Sequence, residues 1–132
     1  MIRYLDTSAL VKLYAEEEGT ETVERAVDEA EAIATSVVAY AEAHAAFARK
    51  LRESVFSSEK HQAALEALDE DWEILDKLEV TEGLVRESGE LAEEHALRGF
   101  GAIHLASALL VREAYSEQTN DSTEEAVLFL GY

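Results

Sequence analysis

Two carboxylates in this 132-residue chain stand out by their surroundings. Asp6 follows the short apolar run Ile2-Arg3-Tyr4-Leu5 and precedes Thr7-Ser8. One use for an aspartate there is as a helix N-cap, its side-chain oxygen accepting from a first-turn N–H. Thr7 and Ser8 cap equally well, which would free Asp6 to point into a crevice. Glu42 sits at helical spacing among Val38, Ala39, Ala45 and Ala46. A carboxylate on such a face is costly to bury unless it is paired or bound to a cation. Arg49, two turns on, is one candidate partner. The alternative is an ion or a substrate group, for which the small alanines would leave room.

The other reactive side chains offer less. His104 shares a helical face with Phe100, Ser107 and Ala108, the setting of a satisfied, partly buried core histidine. His44, His61 and His95 lack metal-ligand spacing, and no HExxH zinc pattern, Gly-rich phosphate loop or G-x-S-x-G elbow is present. Cysteine is absent, which excludes disulfides, thiolate metal sites and a cysteine nucleophile. Glutamate runs such as Glu16-Glu17-Glu18 read as solvated faces.

Elements able to position Asp6 and Glu42 follow from periodicity and caps, since the chain has no proline and only six glycines. Residues 2–5 read as a buried strand. Leu10, Leu13 and Tyr14 share the face of a first helix, which Gly19-Thr20 ends. A second helix turns Val23, Ala26, Val27 and Ala30 inward. Residues 32–35 are a second strand, and Ser36 caps an Ala-rich helix reaching about Leu51. Ser57 or Ser58 opens the next helix, buried through Ala64, Leu65 and Leu68. Trp72-Glu73-Ile74-Leu75 alternates as a third strand does. Thr81 caps a helix with Leu84, Val85, Leu91 and Ala92 inward, ending near Gly99, and another helix carries Ile103, Leu105, Ala106 and Leu109. A polar loop from Ser116 to Thr123 leads to the apolar strand 126–130, bounded by Gly131. Strands alternating with helices require crossovers, hence a mainly parallel sheet of four to five strands in a three-layer α/β/α domain spanning 1–132. In such sheets the crevice lies beyond the carboxyl ends of the strands, at the topological switch point, and Asp6 occupies one of those ends.

Charge bears on partners. Acids number 29 against 11 Lys plus Arg, a net charge of -18, with 48% hydrophobic residues to build a core. Such a surface repels nucleic acid at ordinary ionic strength. At molar salt the Debye length falls to about 3 Å, which removes most of that repulsion. The acid excess and scarcity of lysine suit a halophile's cytoplasm, and low salt should destabilise the chain. The N-terminal apolar run is too short for an export signal or a membrane span.

Four segments in order resemble the motifs of PIN domains, the fold of VapC-type toxin ribonucleases. They are Leu5-Asp6-Thr7-Ser8-Ala9-Leu10, Ser36 to Glu42 with its Ala-rich helix, Leu97 to Ala108, and the strand Val127 to Leu130. The resemblance implies a metal-dependent endoribonuclease in which Asp6 and Glu42 hold Mg²⁺ or Mn²⁺, with Ser8 orienting Asp6 or a water. It also implies an RNA substrate, a cognate antitoxin whose basic segment plugs the acidic groove, and a homodimer. The sequence departs from that pattern at Gly101, where a third acid is expected, and at its end, Tyr132, where a fourth would follow the last strand. The terminal carboxylate of Tyr132 is one possible substitute. A PIN-fold module that no longer cuts but still engages an antitoxin or its own copy is the alternative expectation. A receiver-like domain also needs an acidic pocket, but the lysine and phospho-acceptor pattern is missing.

Overall fold

Ile2–Leu5 forms β1, and its alternating side chains serve two separate cores. A computed structural model describes residues 1–119 and 127–130, with side chains described to Ser116. On one face of the sheet Leu5 joins α1 (Thr7–Val11), α2 (Thr20–Glu29), α3 (Val38–Arg52) and α4 (Ser58–Trp72) through Leu10, Val23, Phe47 and Leu68. On the other, Tyr4 packs with Ala34 of β2 (Ala32–Ser36) and Ala108 of α6 (Gly99–Thr119). Helix α5 (Glu82–His95) covers α6 from outside. This is the expected three-layer arrangement, because a strand's period of two sends successive residues to opposite faces.

The strands run in the order β3-β2-β1-β4, with β3 at Asp76–Leu78 and β4 at Val127–Leu130. Every pairing is parallel, Tyr4 lying between Ala34 of β2 and Phe129 of β4. Crossovers from β1 proceed outward through β2 to β3, whereas β4 returns to the opposite side of β1. The strand order therefore reverses at β1, and the chain leaving that strand is Asp6. No helix among the described residues is long and apolar enough to cross a membrane.

Several local expectations are corrected. The third strand is not residues 72–75: Trp72 closes α4, Ile74 is 81% exposed, and the sheet takes up Asp76–Leu78 instead. Ser36 ends β2, with Val37 as the first residue outside α3, although the Ser36 hydroxyl still accepts the Val38 N–H at 3.3 Å. Val85 faces outward at 47% exposure, and α5 ends at His95, where Ala96 adopts left-handed geometry. Helix α6 runs through the proposed start of the polar loop to Thr119. The rest of that loop, Gly131 and Tyr132 lie outside the described residues.

Candidate active site

Asp6 is the N-cap of α1 after all. Its Oδ1 accepts from the Ala9 N–H at 2.9 Å and from the Ser8 hydroxyl at 3.0 Å. The expectation that Thr7 and Ser8 would relieve it of capping fails because Ser8 is spent on Asp6 itself and Thr7 turns the other way. Both demands fall on one oxygen, however. Among the described residues nothing hydrogen-bonds Oδ2 of Asp6.

Thr7 donates to Oε1 of Glu42 at 2.5 Å, tying the end of β1 to α3 across 35 residues. His104, on α6, is 3% exposed and brings Nε2 to the same Oε1 at 3.0 Å. A carboxylate can only accept, so Nε2 carries the hydrogen. In the neutral ring Nδ1 then accepts from the Tyr4 hydroxyl, 2.8 Å away. Burial, reinforced by the Asp6 and Glu42 charges and opposed by the Ser107 hydroxyl, pushes the Tyr4 phenol well above its usual range. Tyr4 therefore stays protonated and keeps donating. The Thr7 oxygen lies 3.1 Å from Nε2 and shares its hydrogen. Glu42 is thus oriented by Thr7 and His104, and again only one oxygen is used, leaving Oε2 without a hydrogen-bond partner among the described residues.

Both carboxylates open on one cleft of about 780 Å³. Its floor is Asp6, Thr7 and Ser8; one wall is the α3 face Glu42, Ala46, Arg49 and Glu53; the other is Arg98, Phe100, Gly101 and His104 at the start of α6. Arg49 is not the partner of Glu42, since it donates to Glu53 at 2.9 Å near the mouth. Nor is Glu17 a solvated residue of its run. Lys50 and Lys12 reach its two oxygens at 2.7 and 3.2 Å, on the cleft's edge. Burial alone would raise its pKa, but the two ammonium groups outweigh that and hold the carboxyl below its ordinary range.

Asp6 and Glu42 together present two unencumbered carboxylate oxygens, a donor set that suits one hydrated Mg²⁺ or Mn²⁺, which uses one or two protein carboxylates and keeps several waters. It does not suit a two-ion clamp, because no group of three or more histidines and acids gathers among the described residues. Gly101 lies on the cleft wall, and a Cβ added there would meet nothing within 4 Å. The position has room for a β-carbon and carries no carboxylate.

Residues 3–116 match the PIN domain family. The chain belongs to that family. A similar curated protein is the ribonuclease VapC45 of Mycobacterium tuberculosis (strain CDC 1551 / Oshkosh), 36% identical over 108 residues, which are 82% of this chain and 75% of the relative. Among solved structures, M. tuberculosis VapC20, a toxin that cleaves the sarcin–ricin loop, matches with a TM-score of 0.61 at 16% identity, over 89% of this chain and 83% of that one. A toxin–antitoxin complex from Klebsiella pneumoniae matches with a TM-score of 0.60 at 20% identity, over 83% and 80%. The PIN fold expected from the four motifs is therefore shown. What sequence reading missed in this PIN domain is the tie from Thr7 and His104 to Glu42. The histidine was expected to be a satisfied core residue, and it is one, but its Nε2 partner is the candidate site. The only signal was its place on the motif helix beside Gly101.

Proposed function

We propose that this PIN domain is a VapC-like toxin: a metal-dependent endoribonuclease whose site is Asp6, Glu42 and Ser8. The observation that supports this reading is the division of labour within each carboxylate. One oxygen of Asp6 and one of Glu42 are consumed by hydrogen bonds that fix orientation, the other of each has no hydrogen-bond partner among the described residues, and both residues line the same cleft. Asp6 and Glu42 would hold Mg²⁺ or Mn²⁺, which when bound supplies an activated water and neutralises charge on the phosphodiester. Ser8 keeps Asp6 turned, and Thr7 with His104 keeps Glu42 turned. Neither carboxylate then has to reorganise when RNA arrives.

Partners follow from the same reading. The K. pneumoniae neighbour is a toxin–antitoxin complex, and an antitoxin arginine would find bidentate acceptors in the free oxygens of Asp6 and Glu42. We assign the protein to a saline cytoplasm, where screening lets a chain of net charge -18 meet RNA, and to a homodimer.

Gly101 favours a second reading, a PIN module that binds an antitoxin or its own copy without cutting, because a side chain can start from this position on the wall and none is present. Cleavage of a labelled RNA with Mn²⁺ at molar salt, by the native chain and by Gly101→Asp, separates the two. The nuclease reading expects the native chain to cut and the substitution to cut faster. Cutting by the substituted chain alone would establish the binding module.

A further inference from the structure

The rim of the cleft holds a cation and an aromatic ring that the reaction proposed above does not use. Arg98 is exposed, lines the cleft and has no ion pair or hydrogen bond from its side chain among the described residues. Of the arginines and lysines that line the cleft, it alone has no carboxylate partner among the described residues. Its neighbours across the cleft are not free: Arg49 is held by Glu53 and Lys50 by Glu17. Two residues from Arg98, Phe100 lines the same wall with 56% of its surface exposed. Exposing a phenyl ring costs the hydrophobic gain of burying it, and here that ring borders the cleft into which Asp6 and Glu42 open.

We infer that Arg98 and Phe100 form a nucleotide subsite beside the carboxylates, with Phe100 stacking an unpaired base and Arg98 holding an adjoining phosphate. This rests on the nuclease reading and names the two residues that would meet an unpaired stretch of its RNA. Charge explains why a ring is needed. A protein of net charge -18 gains nothing from long-range attraction to RNA, and salt high enough to screen its repulsion screens phosphate contacts too. Base–aromatic stacking is the contact that screening leaves intact, and it tolerates any base because every base has a π-face. A duplex, with its bases stacked on one another, offers Phe100 no such face.

The test is binding rather than cutting. A short labelled RNA, single-stranded or annealed to its complement, is titrated with the full chain in EDTA, reading fluorescence anisotropy across a salt series. The single strand should bind and the duplex should bind more weakly. Phe100→Ala should weaken single-strand binding about ten-fold or more at every salt concentration, while Phe100→Trp retains it. Arg98→Ala should reduce the slope of log affinity against log salt by roughly 0.7, the loss of one phosphate contact, and Arg98→Lys should restore it. If the native chain binds the single strand and the alanine variants bind as well as it does, the subsite is overturned and the nuclease reading stands, even if those variants lose self-association and so reveal a protein contact. A native chain that binds no unpaired RNA at any salt overturns both.

Discussion

The two walls of the cleft are built on opposite terms. On the α3 side each charged side chain that lines the cleft has a partner: Glu42, through one oxygen, has Thr7 and His104, His104 leads onward to Tyr4, Arg49 is held by Glu53 and Lys50 by Glu17. At the first turn of α6 the side chains touch little. Arg98 is unpaired among the described residues, Phe100 stands out into the cleft, and Gly99 and Gly101 leave open space where a Cβ would be. The same helix supplies both, since His104 is one turn beyond Gly101. A committed wall holds its geometry without a ligand; an uncommitted one becomes ordered when something fills it. The difference separates residues whose job is fixing the carboxylates from residues whose job is meeting a partner.

Removing His104 is the most damaging way to break that contrast. His104→Ala removes the acceptor of the buried Tyr4 hydroxyl and one of the two donors to Glu42, while Ser107 still faces the phenol. Losing partners of buried polar groups costs about 1–3 kcal/mol, so a loss of about 2 kcal/mol is expected in urea unfolding. Glu42, with 26% of its side chain exposed, recovers part of its loss from water. Metal-dependent cleavage should fall roughly 10- to 100-fold, the range for removing a group that orients a ligand. A variant as stable as the native chain would mean that the Tyr4–His104–Glu42 chain carries no strength.

How much of this could be read in the sequence depends on the reach of each interaction. The end of β1 was legible because an apolar run followed by Asp-Thr-Ser is a local signal, and Glu42 because a carboxylate among alanines is anomalous within its own helix. The link from His104 to Glu42 spans 62 residues and two helices, and no local pattern encodes it. Glu17 looked solvated because its neighbours are glutamates, whereas its lysine partners lie 5 and 33 positions away. The misplaced third strand has the same origin. Trp-Glu-Ile-Leu alternates like a strand, but β3 is an edge of three residues, with Asp76 and Lys77 exposed, and is specified by backbone pairing to β2. Asp6 reads as either cap or site; one of its oxygens caps α1, and the other has no hydrogen-bond partner among the described residues.

On the uncommitted wall the expectation reverses sign. Gly101→Ala meets no atom within 4 Å and replaces the most flexible residue within a helix. It should raise stability by about 0.5–1 kcal/mol, chiefly by restricting the unfolded chain. Thermal or urea unfolding measures this directly, and a loss of stability would show that the first turn of α6 is under constraint. Together with His104→Ala, the two substitutions sit three residues apart on one helix and should move stability in opposite directions.

The smallest effect lies at the cleft's edge, in the pH dependence that Glu17 brings. Its folded-state pKa is lowered from the ordinary 4.5, so its contribution to stability is complete above that value and is lost as the pH falls through the folded pKa. The stabilising ammonium groups belong to α3 and to the turn after α1, so protonating Glu17 loosens the tie between these two parts of the cleft. Glu17→Gln should therefore lower stability at neutral pH by less than about 1 kcal/mol, because the pair is partly solvated. The two chains should converge as the pH drops below 4.5. Comparing their urea midpoints across that range isolates the contribution from the other acids of the chain, which titrate in both. A difference that persists unchanged into acid would mean that Glu17 acts through packing, and that the committed wall ends at Glu42 rather than extending to the rim.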